Sequence, residues 1–145
     1  MAKLGNLLLV DDEELILEKS KILLEDLADE IYTAIDGTLA LKLLECNEIH
    51  CVVCDINMPG LNGIDVIKEV RKRNIDIPFI FYTGHGSTQL MREAIKYGAF
   101  DFLDKPSLDG LEEVVQRALA TSLDKDCVEE HDFTTEYQNM LKSQK

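Results

Sequence analysis

The run Cys51-Val52-Val53-Cys54-Asp55-Ile56-Asn57-Met58-Pro59-Gly60 constrains the fold more than any other stretch. A short, unbroken apolar run reads as a strand buried on both faces, because a half-buried strand would alternate apolar with polar residues. This run ends abruptly in a carboxylate, and Pro and Gly then turn the chain. Asp55 therefore stands at a strand's carboxyl end, where parallel sheets assemble their chemistry. Three other apolar runs end in polar residues. Leu7-Leu8-Leu9-Val10 leads into Asp11-Asp12, Phe79 to Tyr82 into Thr83, and Phe100 to Leu103 towards Lys105.

Helical stripes separate these runs. Ile16, Ser20, Leu23, Leu24 and Leu27 share one face between about Glu13 and Ala28, the spacing of an amphipathic helix. Ala40, Leu43 and Leu44 mark a second helix beginning near Asp36-Gly37, and Val66, Ile67 and Val70 a third with Asn62 as its N-cap. Leu90, Met91, Ala94 and Ile95 are the expected buried face of a fourth, which Gly98 ends. Leu111, Val114, Val115, Ala118 and Leu119 give a fifth, with Asp109 and Glu112 at capping-box spacing. Ile31 to Ile35 adds a short strand. Such alternation implies right-handed βαβ units and a parallel sheet covered on both faces. The fold class is α/β, a doubly wound, flavodoxin-like sheet of five strands with five helices. Its common strand order is 2-1-3-4-5, with the switch point between strands one and three. Those strands end in Asp11-Asp12 and Asp55, so topology and acidic residues select one crevice.

Charge and cysteine content narrow the function. The formal charge is −13, from 28 acidic and 15 basic residues. An excess that large repels nucleic acid and anionic membrane, so direct binding to either is not expected. No apolar run approaches the roughly 18 residues of a membrane span, and the run near the N-terminus is too short for a signal peptide. The chain reads as cytoplasmic, and four cysteines suit a compartment where thiols stay reduced. Cys51 and Cys54 form a C-x-x-C, but residues three apart on a strand point to opposite faces. They cannot share a metal or a bridge, and are read as small buried apolar side chains.

Three carboxylates crowded into the crevice repel one another by several kcal/mol per pair at an effective dielectric of ~20. A divalent cation relieves this, and an all-oxygen site with waters suits Mg²⁺. One carboxylate is then free to attack an electrophile whose negative charge the metal neutralises, and a phosphoryl group fits that description. Lys105 would add a second positive charge at the phosphoryl oxygens, and the Thr83 hydroxyl a hydrogen bond. Taken singly, a strand-end Asp, a Thr or a Lys-Pro is usually only a turn. Four of them at the right strand ends, in order, are not.

From about Lys3 to Thr121 the sequence resembles the receiver domain of two-component response regulators. The resemblance rests on Asp11-Asp12, Asp55 within Cys-Asp-Ile-Asn-Met-Pro-Gly, Thr83-Gly84, and Phe102-Leu103-Asp104-Lys105-Pro106. It implies that Asp55 is the phosphoacceptor, phosphorylated from a phosphohistidine on a sensor histidine kinase or histidine phosphotransfer protein. It implies Mg²⁺ bound by Asp12, the Asp55 carboxylate and the Asn57 carbonyl, with Asp11 holding a metal-bound water. Lys105 would pair with the phosphoryl group across a cis Lys105-Pro106 bond. Thr83 and the aromatic Phe102 would be switch residues, and the face formed by the fourth helix, fifth strand and fifth helix the output surface. A phosphorylation-dependent homodimer is compatible with the family. Such a chain is not an enzyme on external substrates; it catalyses only its own phosphotransfer and autodephosphorylation. Two departures stand out. Ser107 replaces the family's usual aromatic, with a following loop about one residue shorter, and Asn57 and His85 occupy positions that influence phosphoryl lifetime.

Residues 1–121 are expected to form the receiver, and residues 122–145 an acidic and polar tail or linker. Phe133, Tyr137, Met140 and Leu141 fall at helical spacing within that tail. The alternatives are a receiver whose output does not depend on phosphorylation, an aspartyl-phosphate Mg²⁺ phosphohydrolase, and a flavodoxin-like cofactor module. The hydrolase normally carries a second Asp as general acid two residues on, where this chain has Asn57. A flavin phosphate would be repelled by Asp11-Asp12-Glu13-Glu14 after the first strand.

Overall fold

In a computed structural model of the protein, residues 5–84, 88–105 and 107–130 are described, with side chains as far as residue 122. His85, Gly86, Pro106 with its preceding peptide bond, Cys127's thiol and the tail residues Phe133, Tyr137, Met140 and Leu141 lie outside them. Ten elements alternate without exception: β1 (Asn6–Val10), α1 (Glu14–Leu24), β2 (Glu30–Ala34), α2 (Gly37–Cys46), β3 (Cys51–Cys54), α3 (Gly63–Lys72), β4 (Phe79–Thr83), α4 (Thr88–Lys96), β5 (Asp101–Asp104) and α5 (Leu111–Glu130). The five strands form one parallel sheet in the order β2-β1-β3-β4-β5, as the alternation predicts. β1 and β3 are neighbours, in register from Leu7 opposite Cys51 to Val10 opposite Cys54.

Strand parity divides the core into two layers. Leu8, Val10, Val52, Cys54 and Phe81 pack with residues of α2, α3 and α4 on one face. Leu7, Leu9, Cys51, Val53, Ile80 and Tyr82 pack with α1 and α5 on the other. The two cysteines of the C-x-x-C thus sit in different layers, fully buried and free. β3 and β4, buried throughout, and β1, buried from Leu7 onward, are the central strands of a sheet covered on both faces.

Local signals set most boundaries. Asn62 caps α3 reciprocally: its side chain accepts from the Asp65 amide, and the Asp65 carboxylate accepts from the Asn62 amide. Gly98 adopts a φ of 80° just past α4, a conformation that strains any residue with a Cβ. Two helix expectations need correction. Ile95 is not part of the buried face of α4; it is 62% exposed, and within that helix only Ala94 is fully buried. Leu90 and Met91 are half-covered, so α4 is turned with Ala94 at the centre of its contact. The Asp109–Glu112 capping box does not form, because α5 starts at Leu111 and the Asp109 amide donates to Ser107 Oγ instead. α5 continues past residue 121 as far as Glu130.

These placements predict opposite outcomes at two isoleucines. Ile95→Ser should change the unfolding free energy by no more than about 0.5 kcal/mol, as an exposed position allows. Ile67→Ala, at a fully buried site in α3, should cost roughly 2–5 kcal/mol. Urea unfolding of both variants checks this.

Candidate functional site

The sheet's own ladder carries the functional residues. The Asp11 amide donates to the Ala34 carbonyl, the Asp55 amide to Val10, and the Lys105 amide to Thr83. Each backbone is therefore fixed by the neighbouring strand before any side chain acts. Asp11 continues the parity of Leu7 and Leu9, and Asp55 that of Cys51 and Val53, so both carboxylates leave the sheet towards the α1/α5 layer. Oxygens of Asp11, Asp12 and Asp55 all lie within 4.8 Å of one another. Asp11 and Asp55 are only 3% and 5% exposed, whereas Asp12 faces solvent. Three convergent carboxylates make a donor set that could hold a hard divalent cation.

Lys105 crosses from the end of β5 into this group. Its Nζ lies 2.7 Å from Asp11 Oδ2, 3.0 Å from Asp55 Oδ2 and 3.7 Å from Glu13 Oε2. On the way it passes over the Tyr82 ring, 5.9 Å from its centroid. Burial pulls the Lys105 ammonium towards neutrality, but its hydrogen bonds to Asp11 and Asp55 outweigh this and raise its pKa. Burial pushes the Asp11 carboxyl up, and the opposing pull of Lys105 and the Glu13 amide does not restore it. The Cys54 thiol rises well above the usual range, through burial first and the Asp55 and Asp11 charges second. It is no nucleophile.

Every predicted pocket residue is brought to this end of the sheet. Thr83 is buried at the end of β4, and the exposed Asn57 donates its amide to Asp55 Oδ1 at 3.3 Å. Phe102 belongs to the other layer, where its ring stacks on Phe81 with centroids 5.8 Å apart. Three residues were not anticipated. Glu13 is a third carboxylate on Lys105, Tyr82 is a buried phenol beneath it, and Gly63 seats α3 against Asp55. A Cβ on Gly63 would clash with the Asp55 carbonyl oxygen and lie 3.0 Å from the Phe81 ring. Only the Asn62-Gly63 pair at a helix start hinted at that contact.

Because Asp11 takes up protons more readily when folded, its charge opposes folding once the pH exceeds the value at which the unfolded carboxyl ionises. That opposition grows until the folded carboxyl has ionised and is complete at neutral pH. Asp11→Asn should therefore raise the thermal midpoint of metal-free protein at pH 7, and the gain should vanish near pH 3. Melting curves in chelator across that range would check it.

Known proteins place this geometry. Residues 7–119 match the family model described as the response regulator receiver domain. The transcriptional regulatory protein FixJ of Bradyrhizobium diazoefficiens is 34% identical over 109 residues, 75% of this chain and 53% of FixJ. The response regulator SaeR of Staphylococcus aureus is 37% identical over 101 residues, 70% of this chain and 44% of SaeR. The chain spans about half the length of these relatives or less. Among solved structures, the signal receiver domain of an HD domain-containing protein from Pseudomonas fluorescens superposes with a TM-score of 0.78 at 28% identity, covering 83% of this chain and 98% of that one. The receiver domain of the Francisella response regulator 1452 gives 0.73 at 34% identity, covering 81% and 98%. With its acidic crevice at the β1/β3 switch point and its lysine at the end of β5, this chain belongs to the receiver domain family of two-component response regulators.

Proposed function

We propose that this chain is a phosphorylation-controlled receiver in which Asp55 accepts a phosphoryl group from a phosphohistidine. The observation that carries the proposal is the Lys105 ammonium held between Asp11 and Asp55, at 2.7 and 3.0 Å, beside a third convergent carboxylate. In the transfer, an Asp55 carboxylate oxygen forms the new bond to phosphorus while the phosphorus–nitrogen bond to the donor imidazole breaks. Asp12, Asp55 and the Asn57 carbonyl would hold Mg²⁺, with Asp11 on one of its waters, and the ion would supply positive charge to the phosphoryl oxygens. Lys105 turns from the Asp55 carboxylate to the phosphoryl oxygen that replaces it, and the Thr83 hydroxyl donates to another. Both are positioned charge stabilisers, which is most of what phosphoryl transfer requires.

Phosphorylation adds about −1.5 to −2 charges. Thr83 moving towards the new oxygens draws the end of β4 with it, and Phe102 repacks beside Phe81. The output face is that of α4, β5 and α5, and phosphorylated chains could pair through it. Residues 1–121 constitute the receiver, and residues 122–145 a linker or tail. Receiver domains of response regulators interact with histidine kinases and output domains; here the donor is a sensor kinase or a histidine phosphotransfer protein. The chain acts in the cytoplasm and turns over no external substrate.

Acetyl phosphate with Mg²⁺ should add one phosphoryl mass to the intact protein, and neither omission of Mg²⁺ nor Asp55→Asn should permit it. Lys105→Ala should slow the reaction about 10²-fold, the usual loss on removing one stabilising group. A normal yield from Asp55→Asn would refute the assignment. The chain contains no tryptophan, so Phe102→Trp supplies a unique emission reporter. Its spectrum should change on phosphorylation and stay constant when combined with Asp55→Asn.

A further inference from the structure

Consecutive residues of β4 face opposite layers, and the second of the pair is the unusual one. Tyr82 is only 2% exposed, and its hydroxyl has no hydrogen-bond partner among the described residues. Buried phenols normally place their hydroxyl on a partner, because a polar group without one gives up its hydration for nothing. Tyr82 lines a cavity of about 10 Å³ that lies under the acidic crevice on the α1 side, with Ser20, Asp11 and Asp55 also in its wall. Ser20 is itself a buried polar residue in α1, facing the sheet among leucines. Asp11 directs Oδ1 at the Glu13 amide and Oδ2 at Lys105, yet each carboxylate oxygen accepts more than one hydrogen bond.

The volume is near the ~10–15 Å³ that a single water occupies, and two to four polar neighbours are what a buried water needs. Tyr82, Ser20 and Asp11, all residues of the cavity wall, carry two hydroxyls and a carboxylate as candidate partners in a lining that is otherwise mostly apolar. We propose that Tyr82 is a positioning residue whose hydroxyl, together with Ser20, holds one buried water against the Asp11 carboxylate. The water gives the Tyr82 hydroxyl its missing partner. It also braces Asp11 from within the core, on the side away from solvent, so the carboxylate keeps its orientation when Lys105 turns away from the acidic group. The consequence for metal affinity rests on the proposed role of Asp11 in the metal site; the water itself does not.

Tyr82→Phe keeps the ring under Lys105 and removes only the hydroxyl, so the variant should fold. In metal-free protein it should lower the thermal midpoint by roughly 2–6 °C. An unchanged or higher midpoint would mean that the hydroxyl is unpartnered, and would overturn the proposal. Ser20→Ala should also lower the midpoint, and the double variant should lose less than the sum, because both changes release the same water. Strict additivity would overturn the shared water. Titration with Mg²⁺ alone should show binding weakened roughly three- to tenfold by Tyr82→Phe, a change that loss of stability alone would not produce. Equal affinity with a lowered midpoint would leave a structural water and refute the positioning role. If wild-type protein bound no Mg²⁺, the metal site itself would be refuted, and the two midpoint comparisons would still decide the water.

Discussion

Like charge at the carboxyl ends of β1 and β3 is the constraint to which the rest of this molecule answers. Strand order makes these two ends adjacent, and strand parity points Asp11 and Asp55 into the same layer. Two unit charges 4 Å apart interact by about 4 kcal/mol at an effective dielectric of ~20, a large term against a typical domain stability of 5–15 kcal/mol. Lys105 is the described cation that meets it. To reach both carboxylates from β5, its side chain must cross the end of β4, because β4 lies between β5 and β3. Residues at that crossing are shaped accordingly. Tyr82 presents a ring beneath the ammonium, and Gly84 lies beside the lysine stem, where even an added Cβ would make only an ordinary 3.7 Å contact with Lys105 Cβ. A long, flexible cation with an apolar stem suits this path better than a planar guanidinium. Its raised pKa keeps it charged throughout the physiological range.

The same arrangement is poised rather than static. A buried ammonium between two carboxylates takes its position from both, so a change of charge at either one alters where it sits. A chemical event at Asp55 therefore cannot stay local. The backbone hydrogen bond from Lys105 to Thr83, and that from Asp55 to Val10, join the ends of four strands to the group that changes. Gly63 adds a further connection, since the space a Cβ would need there is taken by the Asp55 carbonyl and the Phe81 ring.

How much of this could be read from the chain depended on whether one residue sufficed or two distant ones had to meet. Strand ends, strand order and the convergence of Asp11, Asp12, Asp55, Thr83 and Lys105 followed from apolar runs and the rules of parallel sheets. The opposite facing of Cys51 and Cys54 followed from parity alone. Ile95 did not, because a helical stripe of Leu90, Met91, Ala94 and Ile95 spans more arc than α4 buries, and only packing chooses its centre. Capping of α5 was missed for a similar reason: Ser107 takes the Asp109 amide before Glu112 can. Gly63 and Glu13 act through separations of a few ångströms across the fold, and no spacing along the chain encodes those.

β4 combines the two layers in one strand. Phe81 stacks on Phe102 in the layer of α3 and α4, while its neighbour Tyr82 lies under Lys105 in the layer of α1 and α5. Thr83, next in line, ends the strand at the acidic crevice. A displacement of Thr83 by an ångström must be taken up by both preceding residues, since the strand is hydrogen-bonded on each side and cannot bend freely. One ring lies towards α4 and β5, and the other beneath the lysine that meets the carboxylates. Packing at native density makes such rings move between discrete positions rather than deform continuously. An aromatic pair on consecutive residues of β4 thus ties the two layers to one strand, with the sheet itself as the rigid member between them.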